Sequence, residues 1–164
     1  MIYYHFVSDT LRDGRAIPPD GAWLIHDGPV VMCKSGLHAS GHPFDALQYA
    51  PGNTLCMVEM LDIVDSQEDK VVSRGRRIVK RIDAAGLCRA FARECALSVA
   101  HLWDMPAIVR EYLETGDESK RAEAHAVSAN AYAAANAANA AATNQKVRDL
   151  FAQRVADAFS KVAT

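Results

Sequence analysis

The feature that most restricts the fold of this 164-residue chain is a long segment near its end without helix breakers. From Glu118 to Val162 the sequence has neither proline nor glycine, and alanine dominates it. Alanine has the highest intrinsic helix propensity of the natural residues. The segment therefore predicts one long helix over 118–162, which at about 1.5 Å per residue would extend roughly 60 Å.

This predicted helix has one apolar side, which is small in its middle and large towards its end. At 100° per residue, Asn130, Ala137, Asn144 and Phe151 fall on one line of that helix. A seam of alanines allows a second helix to approach closely, and an occasional asparagine in it fixes the register. Three arrangements follow: folding back onto earlier helices, self-association as a homodimer through the seam, or a solvated helix. The four residues are the candidate binding residues of this segment.

The first half of the chain has the pattern of a small, mostly antiparallel sheet. Runs rich in β-branched and aromatic residues alternate with turn signals. Pro43 is placed to begin a short helix between the runs. The predicted strands are 2–7, 22–26, 30–33, 54–64 and 70–82. We expect 22–26 and 30–33 to pair as a hairpin, and Gly75 to form a β-bulge in the last strand.

Helical spacing replaces this pattern after residue 82. Asp83 is placed to cap an amphipathic helix that reaches Leu102, and Asp104 to cap a shorter one that begins near Pro106. The sequence therefore predicts an α+β protein. A β-rich domain over 1–82 is followed by a helical region over 83–164 that ends in the alanine-rich helix.

Charge and composition narrow the classes of partner. The net charge is −2, so no overall field favours nucleic acid or anionic membranes. No apolar run is long enough to span a membrane, and no signal peptide opens the chain. Four cysteines without paired spacing, in apolar surroundings, indicate small core residues in a reducing cytoplasm. We therefore expect a cytoplasmic protein that has no membrane partner.

One basic run contrasts with the slightly negative net charge of the chain. Its members, which we expect on the solvated face of a strand, are Arg74, Arg76, Arg77, Lys80 and Arg81. No aromatic residues are interleaved with them, so phosphate binding is the lesser interpretation and nucleic acid is not an expected partner.

Four motifs between Cys33 and Val72 resemble those of a known domain. They are CKSGLHAS, PFDALQYAPG, LCMVE and DKVV, in that order. Their order is similar to that of a domain of unknown function common in phage and prophage proteins, and the similarity extends in outline to the alanine-rich tail. The resemblance implies a phage or prophage origin and carries no activity with it.

The same stretch contains residues that bind metals in other proteins. Cys33, His38, His42 and Cys56 could together surround zinc, but their spacing is not a recognised finger pattern. We therefore expect no metal and no cofactor. His38 is expected to be hydrogen-bonded beside the turn at Gly36, and it is a candidate binding residue.

A second interpretation is an NAD-using enzyme similar to the ADP-ribosyltransferases. Those enzymes carry a histidine on an early strand, a glycine-to-serine segment that leads into a helix, and a late glutamate. The resemblance implies that His5 holds the nicotinamide ribose, Ser40 braces the site and Glu59 polarises a ribose hydroxyl. The sequence departs from the pattern because no tyrosine-rich clamp is evident and Glu59 comes early.

No nucleophile elbow and no phosphate-binding glycine loop are present in the sequence. We therefore expect a non-enzymatic accessory protein that binds a host or viral protein. Blocking a bacterial defence system in the manner of an anti-CRISPR protein is one form of that function. The binding site would be an exposed edge of the sheet or the seam of the last helix, and the transferase is the alternative.

Overall fold

The computed structural model describes residues 1–127 and 145–162. Among them, those of Met1–Ala85 and Ala152–Thr164 form one compact unit, and those of Gly86–Phe151 form a second. The α+β class is confirmed, because an antiparallel five-stranded sheet is accompanied by several helices. The predicted division at residue 82 stays a prediction.

Five strands make up the sheet: β1 Tyr3–Val7, β2 Trp23–Ile25, β3 Leu37–Ala39, β4 Thr54–Ser66 and β5 Val71–Asp83. Their order is β1-β4-β5-β2, and β3 also pairs with β5. The long β4–β5 hairpin is central because every other strand pairs with one of its two members. The sheet is therefore organised around two strands that are adjacent in the chain.

Alternation along these strands gives the sheet its core. A cluster of apolar side chains from four strands is buried, and Tyr3, Ile17 and Met60 pack against it. The buried members are Val7, Ala39, Cys56, Val58, Val71 and Ile78. Burying such side chains is the main favourable term in folding, so this cluster is the core of the sheet.

A short helix, α1 Pro43–Leu47, lies between β3 and β4. The imidazole of His42 caps it, since its Nδ1 accepts a hydrogen bond from the Phe44 N–H at 3.2 Å. Pro43 occupies the first turn, where the missing N–H costs nothing. The predicted helix start is thus confirmed.

The predicted strand over 30–33 is wrong. Val31 and Ser35 exchange backbone hydrogen bonds at 2.9 Å around a tight turn, and Cys33 has a left-handed φ of 62°. Strand β2 pairs with β5 instead, opposite residues 75–77. The predicted bulge at Gly75 is also wrong, because Gly75 pairs in register with Leu61 and Ile25, and the irregularities lie elsewhere in the β4–β5 pairing.

After β5 the chain forms α2 Ala85–Ser98, α3 Ala107–Thr115 and α4 Arg121–Val127, with 3-10 turns at Ala100–Leu102 and Glu118–Lys120. From Gly86 onward these elements lie in the second unit. The side chain of Asp83 accepts a hydrogen bond from the Ala85 N–H at 2.8 Å, as expected of a cap. Asp104 does not cap α3, because Pro106 stands at the N-cap.

The last described helix is α5 Gln145–Ser160. Its apolar residues Phe151, Val155 and Phe159 are buried, and the Phe151 ring centroid lies 4.8 Å from that of Phe91. Residues 128–144, where Asn130, Ala137 and Asn144 were predicted to form the seam, lie outside the described residues. The range 118–162 contains the 3-10 turn Glu118–Lys120 and the helices α4 and α5, and the single helix over the whole range stays a prediction.

Candidate functional site

Arg76 is the most unusual polar residue of the sheet. It lies on β5 between Met60 of β4 and Leu24 of β2, and only 7% of its surface is exposed. Its Nη1 donates a hydrogen bond to the carbonyl oxygen of His38 at 2.6 Å. Burial lowers the pKa of this guanidinium to about 10, which still leaves it charged at neutral pH. The sheet therefore holds a buried positive charge.

Two histidines, His5 and His38, lie close enough to Arg76 for its charge to lower their pKa values. His5 is on β1 opposite Cys56 of β4. Burial, then the charges of Arg76 and His38, hold the pKa of His5 well below its usual value. Burial also lowers the pKa of His38, whose Nε2 accepts a hydrogen bond from the Cys33 N–H at 3.1 Å. Both imidazoles are therefore neutral at physiological pH.

Cys56 lies opposite His5 on the neighbouring strand, but its thiol is not reactive. Its side chain is fully buried, and burial raises the pKa of its thiol to about 11. A thiol needs to ionise before it attacks an electrophile or binds zinc. Cys33, which was expected in the core, is instead exposed. Among the described residues, no three histidine, cysteine or acidic side chains are grouped so that they could hold a metal ion.

A recess opens beside Arg76 on this side of the sheet. It encloses about 10 Å³, roughly the space of one water molecule, whereas small-molecule sites typically enclose about 300–1,000 Å³. Besides Arg76, its lining is apolar and comes from β1, β2, β5 and the loop between β1 and β2: Val7, Leu11, Ile17, Pro18, Ala22, Leu24 and Ile78. The recess is therefore too small for an organic ligand or a dinucleotide.

The opposite face of the sheet carries a second feature, which we call the Trp23 patch: Trp23, Ile25, Glu59, Leu61 and Arg77. Arg77 lies between Trp23 and Glu59 in adjacent strands. Its Nε donates to the Glu59 carboxylate at 2.6 Å, and its guanidinium lies 4.9 Å from the centre of the Trp23 ring. Next to this row, Ile25 and Leu61 meet above Gly75. The three apolar side chains are each about 40% exposed.

The residues of the transferase interpretation do not converge. Ser40 exchanges two backbone hydrogen bonds with Tyr4, so it lies near His5. Glu59 is three residues from Cys56, the β4 neighbour of His5, and side chains separated by an odd number of positions point to opposite faces of a strand. The Glu59 carboxylate is bound to Arg77 on that other face.

The basic run is not a uniform solvated face. Arg76 is buried and Arg77 belongs to the Trp23 patch, while Arg81 forms an ion pair with Asp20. Lys80 donates to the carbonyl oxygen of Val162 at 2.6 Å, and Arg74 contacts two carbonyl oxygens after β2. These cations contact other parts of the chain, which does not favour phosphate binding.

Sequence reasoning placed His38 at its hydrogen-bonded turn but missed the separate roles of Arg76 and Trp23. Phe151, a candidate binding residue, is fully buried beside Phe91. A signal for Arg76 was available in hindsight, because two consecutive arginines in a strand must face opposite sides. Which of them points inward depends on strand register, which the sequence does not show.

A scan against protein families matches residues 1–90 to a family described as a domain of unknown function, DUF7666. No curated protein and no solved structure matches the chain. Within residues 1–127 and 145–162, no helix is both long enough and apolar enough to cross a membrane.

Proposed function

Since this chain belongs to the DUF7666 family, whose description names no activity, we propose from its geometry that it functions by binding another protein. The Trp23 patch is the observation that carries this proposal. It combines exposed apolar side chains with an aromatic ring and an arginine, and tryptophan and arginine are the residues most enriched at binding hot spots.

The patch is also arranged in a way that suits a protein partner. The Glu59–Arg77 pair holds the arginine side chain over the Trp23 ring, so less rotamer freedom is lost when a partner binds. Because Gly75 has no side chain, Ile25 and Leu61 come together over it. An apolar area beside a charged pair fits a partner surface with an apolar centre and a polar rim.

The partner we propose is a host or viral protein in the bacterial cytoplasm. The support is the similarity of the four motifs between Cys33 and Val72 to those of phage and prophage proteins. In a phage-encoded protein with this patch, binding a component of a bacterial defence system, as anti-CRISPR proteins do, is the specific form of the function that we propose.

Two matched variants test the role of the patch. Leu61→Asp places a charge in the patch, whereas Leu102→Asp places the same charge on another exposed leucine, in the second unit. With tagged full-length protein in lysate of a phage-susceptible bacterium, wild type and Leu102→Asp should retain one stoichiometric protein that Leu61→Asp loses. The affinity of the identified protein, measured by titration, should fall at least tenfold for Leu61→Asp. Equal affinity for all three proteins would refute the proposal.

Self-association is a separate part of the proposal. The sequence of the alanine-rich segment supports a homodimer through its seam, whereas Phe151 at its end is buried within the chain. Sedimentation of the full chain over a range of concentrations tests it. A constant monomer mass up to the highest concentration would exclude the homodimer and leave binding through the Trp23 patch unaffected.

A further inference from the structure

Strand β2 has one free edge, because it stands at the end of the strand order β1-β4-β5-β2. It pairs antiparallel with β5. In such a pair, residues that bond to the neighbouring strand alternate with residues whose N–H and C=O point away from it. The His26 N–H donates to the Arg74 carbonyl oxygen at 2.8 Å, so Leu24, two positions earlier, also bonds towards β5. The backbone groups of Trp23 and Ile25 therefore point outward.

These outward groups are available to a partner. Within residues 1–127 and 145–162, no loop or strand bonds to the outward N–H and C=O groups of Trp23 and Ile25. The edge thus presents two donors and two acceptors at the spacing of a strand. An unpaired edge of this kind is a template for a further strand.

The side chains beside this edge select the segment that could be added. Trp23 and Ile25 are 40% and 41% exposed, and both belong to the Trp23 patch. Successive side chains of a strand point to opposite faces, so every second side chain of an added strand would lie beside these two residues. A matching segment therefore has apolar side chains at alternating positions.

The end of β2 adds a charge to this requirement. Arg74 donates through Nη1 to the carbonyl oxygens of His26 and Gly28, so its exposed guanidinium lies where β2 ends. Arg77 and Arg81 of the same strand have carboxylate partners, whereas Arg74 forms no ion pair within the described part of the chain. An acidic residue at one end of the added segment would complement this charge.

We propose that the free edge of β2 takes up an extended segment of the partner protein as an additional strand, with apolar side chains beside Trp23 and Ile25 and a carboxylate near Arg74. This inference rests on the proposed protein binding and specifies its form. In strand addition, main-chain hydrogen bonds provide affinity and alternate side chains provide specificity.

The probe is a short synthetic peptide that alternates valine and threonine and has a glutamate at each end, so that one carboxylate reaches Arg74 in either strand direction. We expect saturable binding to the full chain by calorimetry. Two control peptides carry N-methyl groups, one on the valine amides and the other on the threonine amides. Only one of these sets faces β2, so one control should bind at least tenfold more weakly than the other. Equal affinity of the two controls, or no saturable binding of the parent peptide, would overturn strand addition.

Substitution then locates the peptide on the edge. Ile25→Pro removes the outward N–H together with the side chain, whereas Ile25→Ala removes the side chain alone. Proline is tolerated on an edge strand where its nitrogen faces solvent. Ile25→Pro should bind the peptide at least fivefold more weakly than Ile25→Ala, and equal affinities would refute the site. If Ile25→Pro fails to fold, amide hydrogen exchange of Trp23 and Ile25 in the wild-type chain decides. The peptide should slow it, and unchanged exchange would refute the site.

Two further comparisons test the charge and separate the two proposals. Replacing both glutamates of the peptide by glutamine should weaken binding at least twofold to the wild-type chain but not to Arg74→Met, and an equal effect on both would exclude Arg74 from the site. A protein partner that is lost with Leu61→Asp, yet binds Ile25→Pro and Ile25→Ala equally, would refute strand addition and leave binding through the Trp23 patch intact.

Discussion

Arg77 and Glu59 face each other across β5 and β4, with the arginine Nε 2.6 Å from the glutamate carboxylate. The pair is partly open to water, since the two side chains are 38% and 36% exposed. On its other side the guanidinium covers the Trp23 ring. One arginine thus connects three strands on the face that we propose binds a protein.

This pair should contribute little to stability by itself. Glu59→Gln is expected to lower the free energy of unfolding by less than about 1 kcal/mol, because partly exposed ion pairs are screened by water. Denaturant titration at low salt and in 1 M salt measures it, and the difference from wild type should shrink at high salt. A salt-independent loss of several kcal/mol would show that the pair is a structural requirement.

The turn before β3 should be much less tolerant of change. Gly36 has a φ of 104°, and a Cβ there would lie 2.8 Å from Val72 Cγ2 and 2.9 Å from Val30 Cγ1. Gly36→Ala is therefore expected to lower the free energy of unfolding by about 1–3 kcal/mol. Gly41→Ala is the control, because a Cβ at Gly41 meets nothing within 4 Å. Equal effects of the two substitutions would contradict this account.

The strands that the sequence predicted well are those with a strong local pattern. β1, β4 and β5 are rich in β-branched and aromatic residues, which favour strands through packing on a pleated surface. Val30–Cys33 has an equally apolar pattern but forms a turn, with Cys33 in a left-handed conformation. Apolar character does not distinguish a strand from a buried or half-buried turn, and pairing partners distant in sequence, such as β2 and β5, leave no local signal.

Arg76 and the Trp23 patch show the same limit of prediction from sequence. Arg76 and Arg77 are the same residue type in adjacent positions, yet one is buried near His38 and the other lies over Trp23. Their difference arises from register, because Met60 and Leu24 flank Arg76, whereas Glu59 and Trp23 flank Arg77. A basic run in a sequence therefore does not predict a basic surface when it lies in a strand.

Two adjacent residues of α5 should differ sharply in their contribution to stability. Phe151 is fully buried against Phe91, whereas Leu150 is 43% exposed. Phe151→Ala is expected to cost about 3–5 kcal/mol, because it leaves a cavity as well as losing burial. Leu150→Ala should cost under about 1 kcal/mol. Chemical denaturation measures both, and a small effect of Phe151→Ala would show that its side chain does not stabilise the folded chain.

The transferase alternative predicts an activity that the geometry does not favour. Its proposed glutamate, Glu59, is bound by Arg77 and lies on the opposite face from His5. We expect the purified chain to release no nicotinamide from NAD above the buffer rate, as measured by chromatography at high protein concentration. The control is Glu114→Gln, which changes an exposed glutamate of α3. Release that disappears in both His5→Ala and Glu59→Gln, but not in this control, would restore the transferase and exclude our interpretation.

The two half-buried histidines, His5 and His38, should make stability depend on pH. The folded chain keeps His5 neutral because its pKa lies well below the ordinary value of about 6.5, whereas the unfolded chain binds a proton near that pH. The unfolded state therefore binds more protons than the folded state below pH 6.5. The free energy of unfolding should fall as the pH decreases from about 7 to 5. Each such histidine contributes up to about 1.4 kcal/mol per pH unit. His38 acts in the same direction because its pKa is also lowered.

Denaturant titrations between pH 5 and 7 measure how steeply the free energy of unfolding changes with pH. This slope should be smaller for His5→Gln and unchanged for the exposed His101→Gln. If His5→Gln keeps the wild-type slope, His5 is not held neutral by its burial and by the charge of Arg76.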